Sequence, residues 1–114
     1  MSQQQQMPIF SKTYDMLVWL LQVTRHFPKM HRHDFTKRLL DAAFDLRERL
    51  EEANIRRGSG RIERLRLADE ALARLRLYIR LAAKMGWLNG GQYQHGAAML
   101  VEIGKLLGGW IKAS

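Results

Sequence analysis

Hydrophobic residues recur every three or four positions along most of this chain, which is the spacing of one face of an α-helix. The pattern forms four segments, at about residues 11–26, 34–54, 61–86 and 92–111. Short polar stretches with glycine or proline separate them, and no segment shows the two-residue alternation of a strand. The sequence therefore predicts an all-α fold, an antiparallel up-down four-helix bundle with short connections.

Local signals mark where the predicted helices begin and end. Ser11 and Asp34 are suitable N-caps for the first and second helices. Pro28 stops the first helix, since the residue before a proline disfavours helical geometry, and Gly86 ends the third. The fourth helix follows Asn89 without a Ser or Thr cap, so we expect its start to be weak.

Each predicted helix carries an apolar stripe that should face the core of the bundle. In the first helix the stripe consists of Tyr14, Leu17, Val18 and Leu21. In the second and third helices it consists of Phe35, Leu39, Ala42, Leu46, Leu50, Ala53, Leu65, Ala68, Leu72, Leu75, Ile79 and Ala82. Other apolar residues lie off these stripes, which indicates a second buried face. They are Met16, Leu20, Leu40, Phe44, Leu77 and Leu81.

The C-terminal segment 102–112 combines an apolar stripe with Gly104, Gly108 and Gly109, and ends near the bulky Trp110. Each glycine inside a helix costs about 1 kcal/mol relative to alanine. Small residues repeated on one helix face allow another backbone to come close. We therefore expect this helix to lie wedged among neighbouring helices, with Trp110 as an anchor.

The chain of 114 residues has room for one domain. We expect residues 1–9 to be a disordered, glutamine-rich lead and residues 10–114 to form the helical domain. The absence of cysteine excludes disulfides and thiolate metal ligands and fits a reducing compartment. The N-terminus lacks the pattern of a signal peptide, and no apolar run approaches the roughly 18 residues of a membrane span. A cytoplasmic protein with no membrane association is expected.

Positive charge dominates the composition, with 19 Lys and Arg against 11 Asp and Glu and a formal net charge of +8. Most of these cations are arginines, whose planar guanidinium can donate two hydrogen bonds to one phosphate. This balance favours a polyanion such as RNA or DNA as a partner. A run of charge on a helix can also be an ordinary solvated face or a surface for an acidic protein.

Three groups of basic residues are candidates for contact with nucleic acid. The first falls within a narrow arc of the third helix, where Asp69 is the only acid, and contains Arg66, Arg76, Arg80 and Lys84. The second lies around the connection between the second and third helices and contains Arg56, Arg57, Arg61 and Arg64. The third lies in the first connection and contains Arg25, Lys29 and Arg32. In an antiparallel bundle these groups would occupy both ends and one face.

Motifs of enzymes are missing from the sequence. It has no Walker-type phosphate loop, no G-x-S-x-G elbow and no Glu-x-x-His pair of a di-iron bundle. His26, His31 and His33 crowd the first connection, but no acidic or thiol ligands are arranged around them as a metal site would need. The tyrosines Tyr14, Tyr78 and Tyr93 are expected to be core or interface aromatics. We expect a non-catalytic protein without metal or cofactor.

Several segments together resemble a known family. They are residues 19–21 (WLL), 27–29 (FPK), 73–81 (ARLRLYIRL) and, most specifically, 102–112 (EIGKLLGGWIK). Over residues 10–113 the chain resembles the accessory variability determinant (Avd) family of diversity-generating retroelements. That family is related to small four-helix proteins encoded in intervening sequences of large-subunit rRNA genes.

The resemblance implies a homopentameric barrel of four-helix protomers with a basic surface. It also implies binding to the retroelement's reverse transcriptase and to nucleic acid, the template-repeat RNA or its cDNA, in support of mutagenic homing. The off-stripe apolar residues named above would then form the seams between subunits. Two other functions stay open: an RNA-associated protein of the rRNA intervening-sequence type without a polymerase, and a protein-interaction scaffold that binds no nucleic acid.

Overall fold

A computed structural model describes residues 7–114, and within this range it contains four α-helices and no β-strand. The helices are α1 (Pro8–Val23), α2 (Lys37–Ile55), α3 (Gly58–Lys84) and α4 (Gly90–Ala113). They pack around one core, with α1 and α3 each contacting both α2 and α4. The prediction of an all-α fold with four helices is confirmed for this part of the chain. None of these helices is long and apolar enough to cross a membrane.

The first helix begins earlier than predicted. Pro8 occupies its first turn, where the missing N–H of proline has no intrahelical partner to lose. Ser11 is therefore not an N-cap; it lies inside α1, and its hydroxyl donates to the Pro8 carbonyl at 3.0 Å. Ile9 is 2% exposed, so the expectation of a disordered lead is wrong for residues 7–9. Residues 1–6 lie outside the described residues.

The first connection, residues 24–36, is made of three short helical turns. A 3₁₀ turn (Thr24–His26) prolongs α1, a second one spans Lys29–His31, and a π-helical turn (Arg32–Thr36) leads into α2. Asp34 was the predicted N-cap of the second helix, but it lies inside the π-helical turn. Its carboxylate is 3.1 Å from Nδ1 of His31, so it stabilises this connection instead.

The second connection is shorter than the sequence suggested. Gly58 opens α3 directly after Arg57 and has a φ of +59°. Glycine adopts this backbone angle without strain. The last carbonyls of α2 are satisfied by Arg61, whose Nε donates to the Ala53 carbonyl at 2.9 Å. A basic side chain is suited to this position because the C-terminus of a helix carries partial negative charge.

The start of α4 is capped, contrary to the expectation of a weak start. The Asn89 side chain accepts a hydrogen bond from the backbone N–H of Gln92 at 2.8 Å. In return the Gln92 side chain accepts from the backbone N–H of Asn89 at 2.9 Å. This reciprocal pair is a capping box, with asparagine in the place that serine or threonine often takes.

The core confirms the apolar stripes predicted for the second and third helices and corrects the one predicted for the first helix. Every residue of the predicted stripes of the second and third helices is buried. In α1, however, Tyr14, Val18 and Leu21 are 61%, 40% and 47% exposed. The buried face of this helix is instead formed by Ile9, Phe10, Thr13, Met16, Leu20 and Val23.

This reversal corrects two predicted seam residues. Met16 and Leu20 are each 1% exposed within a single protomer, so they belong to its core and have no surface left for another subunit. The cause lies in the sequence of α1, which is apolar almost all round. Periodicity alone cannot orient such a helix, and its packing against neighbours decides which face is buried.

Aromatic side chains fix the ends of the bundle. Trp87, in the third connection (residues 85–89), packs against Phe27 and Phe35 at ring-centroid distances of 5.8 and 5.1 Å. At the opposite end, Phe10 meets Trp110 edge to face at 6.1 Å. The first and third connections therefore lie together, and the start of α1 contacts the end of α4.

Candidate nucleic-acid interface

Three cations follow one another along α3 at intervals of one helical turn. Arg76, Arg80 and Lys84 are all exposed, and among the described residues no carboxylate lies within 4.0 Å of any of them. Surface cations in proteins are commonly interspersed with acids. This α3 basic row is uncompensated, so its charge is available to a polyanion.

Arg66 belongs to the first predicted group of basic residues but not to the α3 basic row. It is exposed and has no ion pair, yet it lines a separate cleft together with Glu63 and Glu70. Ten residues of helix also separate it from Arg76, about 15 Å along the axis. The structure therefore places Arg66 on a surface of mixed charge, away from the α3 basic row.

Two cations of the second group serve the fold. Arg61 donates to the carbonyls of Ala53 and Asn54, and its guanidinium lies 6.0 Å from the ring centre of Trp110. Arg64 is paired with Glu52, with Nη1 and Oε1 at 3.1 Å. Because these side chains already have partners within the protomer, neither is part of the candidate interface.

Arg56 and Arg57 are the remaining members of the second group. Arg57 is exposed and Arg56 is half-buried. Neither has a carboxylate within 4.0 Å among the described residues. They leave positive charge at the end of the bundle opposite to the first connection.

The cations of the first connection are brought together as the sequence predicted. Arg25, Lys29 and Arg32 are exposed and line one cleft of about 190 Å³, which also contains Thr24 and Thr36. No described acid lies within 4.0 Å of these three cations. The cleft is a second positive region, at the end of the bundle.

The histidines of this connection do not converge. His31 contacts Asp34 and packs against Trp87, with ring centroids 5.2 Å apart, whereas His26 and His33 are exposed. Residues 7–114 contain no group of three or more His, Cys, Asp or Glu side chains that could hold a metal ion.

A groove between α3 and α4 joins the basic row to an aromatic ring that the sequence analysis had not assigned to binding. We call it the α3–α4 groove. It has a volume of about 200 Å³ and is lined by Arg76, Ile79, Arg80, Tyr93, Ala97, Leu100 and Val101. Periodicity in a single helix could not reveal it, because its walls come from two helices.

The glycines of α4 differ in what surrounds them. A side chain at Gly104 would collide with the Arg76 guanidinium, which rests directly on this position. Gly96 is covered by the Trp19 indole. Gly108 and Gly109, in contrast, have no other described atoms near the place of a side chain. Of the three glycines named from the sequence, only Gly104 is a site of close approach within one protomer.

The four remaining seam candidates lie beside cations. Leu40 and Phe44 line a cleft of about 450 Å³ together with Arg32 and Lys37. Leu77 and Leu81 line another, of about 270 Å³, with Arg80 and Lys84. Phe44, Leu77 and Leu81 are exposed in the protomer and Leu40 is half-buried. Apolar and basic side chains therefore share the same surfaces of α2 and α3.

Further large apolar residues outside the predicted seam set are exposed. They include Tyr14, Val18 and Leu21 on α1 and Val101 on α4. The sequence did indicate that α1 has an exposed apolar face, since this helix has more apolar positions than one buried stripe needs. The prediction took the exposed face for the buried one.

Comparison with known proteins adds evidence of relationship. A family model described as bAvd-like matches residues 7–114, and no curated protein matches the sequence. A similar solved structure is that of a protein of unknown function from the S23 ribosomal protein family of Bacteroides thetaiotaomicron. The two share 18% sequence identity with a TM-score of 0.82, over 91% of this chain and 95% of that chain. At this identity the likeness shows a common fold.

Proposed function

The chain belongs to the bAvd-like family, and from this membership we propose that it is a non-catalytic accessory protein of a diversity-generating retroelement. In this role it binds the reverse transcriptase and nucleic acid, the template-repeat RNA or its cDNA, and so supports mutagenic homing. The observation that carries the nucleic-acid part of the proposal is the α3 basic row, three exposed cations without a neighbouring carboxylate.

The proposed mechanism of binding is electrostatic. The cations of the α3 basic row and of the first connection neutralise phosphates and release the counterions that surround the nucleic acid. Such contacts carry no base sequence, which suits a partner that must accept RNA or cDNA of varied sequence. The protein holds nucleic acid near the polymerase and performs no chemistry itself.

We further propose an antiparallel up-down bundle that assembles into a homopentamer. Contacts between α1 and α4 support the helix order, since Phe10 meets Trp110 while Trp19 covers Gly96. The exposed apolar residues of α1, α2 and α3 support the assembly, because their burial against other copies removes apolar surface from water. Five copies, each with a formal charge of +8, would produce a strong positive field.

Charge reversal tests the basic row directly. We expect Arg76→Glu with Arg80→Glu to lower the affinity for single-stranded RNA at least tenfold at about 0.1 M salt, since two phosphate contacts become repulsive. The matched control is Lys12→Glu with Lys37→Glu, which changes the net charge equally at cations already paired with Glu102 and Asp41. Fluorescence anisotropy with labelled RNA measures both affinities. Equal losses in the two variants would contradict a localised interface.

The polymerase part of the proposal needs its own experiment. We expect the chain to co-purify with a reverse transcriptase encoded beside its gene, and to do so at both low and moderate salt. The same chain should bind RNA without the polymerase. Retention of RNA binding with no polymerase association would favour the alternative function, an RNA-associated protein of the rRNA intervening-sequence type.

The third function, a protein-interaction scaffold, makes a different prediction. In that case the α3 basic row would contact an acidic protein, and RNA would not bind even at low salt.

The gene neighbourhood separates the first two functions. An adjacent reverse-transcriptase gene with paired repeats supports the retroelement role, and a position inside an rRNA gene supports the role of an rRNA intervening-sequence protein.

A further inference from the structure

The α3–α4 groove is lined by basic, aromatic and apolar residues. The cleft of Leu40 and Phe44 has a similar lining, but there Lys37 is paired with Asp41. Arg76 and Arg80 of the basic row form part of its wall, Tyr93 provides an aromatic ring, and apolar side chains complete it. In the cleft of the first connection the ring of Phe27 is buried and packs against other aromatic residues. The groove therefore brings together a half-buried ring, an apolar lining and two uncompensated cations.

We propose that the α3–α4 groove receives a single unstacked base of single-stranded nucleic acid. Tyr93 offers its ring for stacking, while Arg76 and Arg80 contact the phosphates on either side of that base. The proposal rests on the proposed function and deepens it, since it assigns part of the binding to a base rather than to the phosphate backbone alone.

The size of the groove limits what it can hold. Its volume of about 200 Å³ is below the range of about 300 to 1,000 Å³ that is usual for sites enclosing a whole small molecule. One heterocyclic ring is a suitable occupant, with its ribose and phosphates left outside. The ligand class is thus an exposed base of a chain, and not a free nucleotide enclosed by the protein.

The chemistry of the lining matches such a base. Every base has an apolar π-face, and stacking on an aromatic side chain is therefore tolerant of sequence. The guanidinium of arginine can also stack on a base or pair with a phosphate. Val101, which is 54% exposed, supplies apolar surface, whereas Ile79 and Leu100 are buried in the core. A base that leaves its own stack in RNA therefore finds apolar contact here with Val101 and the ring of Tyr93.

Gly104 positions one of the two cations. The Arg76 guanidinium rests on α4 where a side chain of residue 104 would begin, and any larger residue would push it away. A glycine of the C-terminal motif thus places a cation at the edge of the groove. This gives Gly104 a role within one protomer.

Oligonucleotides with and without bases distinguish the proposal from binding by phosphates alone. The two probes are a short single-stranded oligouridine and an abasic oligomer of equal length and charge. We expect Tyr93→Leu to weaken binding of the oligouridine by about tenfold, as expected for loss of one stacked base, and to leave the abasic oligomer unaffected. Tyr93→Phe keeps the ring and should retain the affinity of the unmodified protein for both probes.

A second variant covers the case in which Tyr93→Leu does not fold. Ala97→Leu keeps the tyrosine and both arginines but fills the groove, and should produce the same selective loss. The inference is overturned if the unmodified protein binds both probes equally, or if these variants weaken both probes alike. In those outcomes RNA binding itself persists and the proposed function stands. If neither probe binds at low salt, the inference and the nucleic-acid part of the proposed function both fail.

Discussion

Gly96 sets how closely α1 and α4 approach, because the Trp19 indole fills the space in which a side chain would begin. A β-carbon built at this position would lie 2.6 Å from the indole ring, which is well inside van der Waals contact. The glycines near the C-terminus stand out in the sequence because they cluster on one helical segment, whereas Gly96 stands alone. No periodic signal marks it, since its importance depends on a tryptophan far away along the chain.

Replacement of Gly96 should therefore destabilise the protein. We expect Gly96→Ala to lower the free energy of unfolding by about 1 to 3 kcal/mol, since overpacking forces the indole or the helices to shift. Gly108→Ala is the matched control, because nothing lies within 4 Å of its added carbon. There the better helix propensity of alanine should raise stability by up to about 1 kcal/mol. Thermal unfolding of dilute protein measures both, and similar changes in the two variants would contradict this packing.

Leu20 and Leu81 were predicted to have the same role in subunit seams, and the structure separates them. Leu20 is 1% exposed and Leu81 is 42% exposed. We expect Leu20→Ala to cost about 2 to 5 kcal/mol of protomer stability through a core cavity. Leu81→Ala should change the stability of the dilute protomer by less than about 1 kcal/mol and should weaken self-association.

Two measurements separate the effects of these substitutions. Chemical denaturation at low protein concentration reports on the protomer, and native mass spectrometry reports on the assembly. A Leu81→Ala variant that assembles as well as the unmodified protein would remove this residue from the seam.

At the scale of the helices, α4 illustrates how a local signal can be underestimated. Its N-terminus is held by the reciprocal pair of Asn89 and Gln92. We expect Asn89→Ala to lower the free energy of unfolding by about 1 kcal/mol, whereas Asn89→Ser should keep most of the cap. Hydrogen exchange of the first α4 amides is the direct measurement. Equal protection in all three proteins would show that the cap contributes nothing.

The sequence was informative for helices whose two faces differ. In α2 and α3 most apolar positions form one stripe and only a few lie off it, so the buried face could be predicted from spacing alone. In α1 nearly every face is apolar, and the predicted burial was wrong for Tyr14, Val18, Leu21, Met16 and Leu20. Which of two apolar faces enters the core is decided by tertiary packing, and no pattern within the helix records that choice.

The candidate interface was likewise predictable from the sequence only in part. The cations at positions 76, 80 and 84 could be predicted to be exposed because they lie opposite the core stripe. Arg61 and Arg64 could not be recognised as structural, since their partners Ala53 and Glu52 lie on another helix. The α3–α4 groove was hidden for the same reason, because Tyr93 becomes part of it only when α4 packs beside α3.

At the scale of the whole molecule, positive and apolar surfaces overlap. The cleft of Leu77 and Leu81 also contains Arg80 and Lys84, so one surface is a candidate for both self-association and nucleic-acid binding. A cation covered by a seam would lose water and need a partner. We expect assembly to leave these two cations at the rim of the seam, where they stay accessible to phosphates.

The salt dependence of RNA binding tests the central claim, that the α3 basic row binds phosphates, most directly. The affinity of the unmodified protein for single-stranded RNA should fall linearly with salt concentration on logarithmic axes. For Arg76→Glu with Arg80→Glu, the slope should be shallower by about one to two units, because two phosphate contacts are lost. Equal slopes for the two proteins, or an RNA affinity that does not change with salt, would contradict the account.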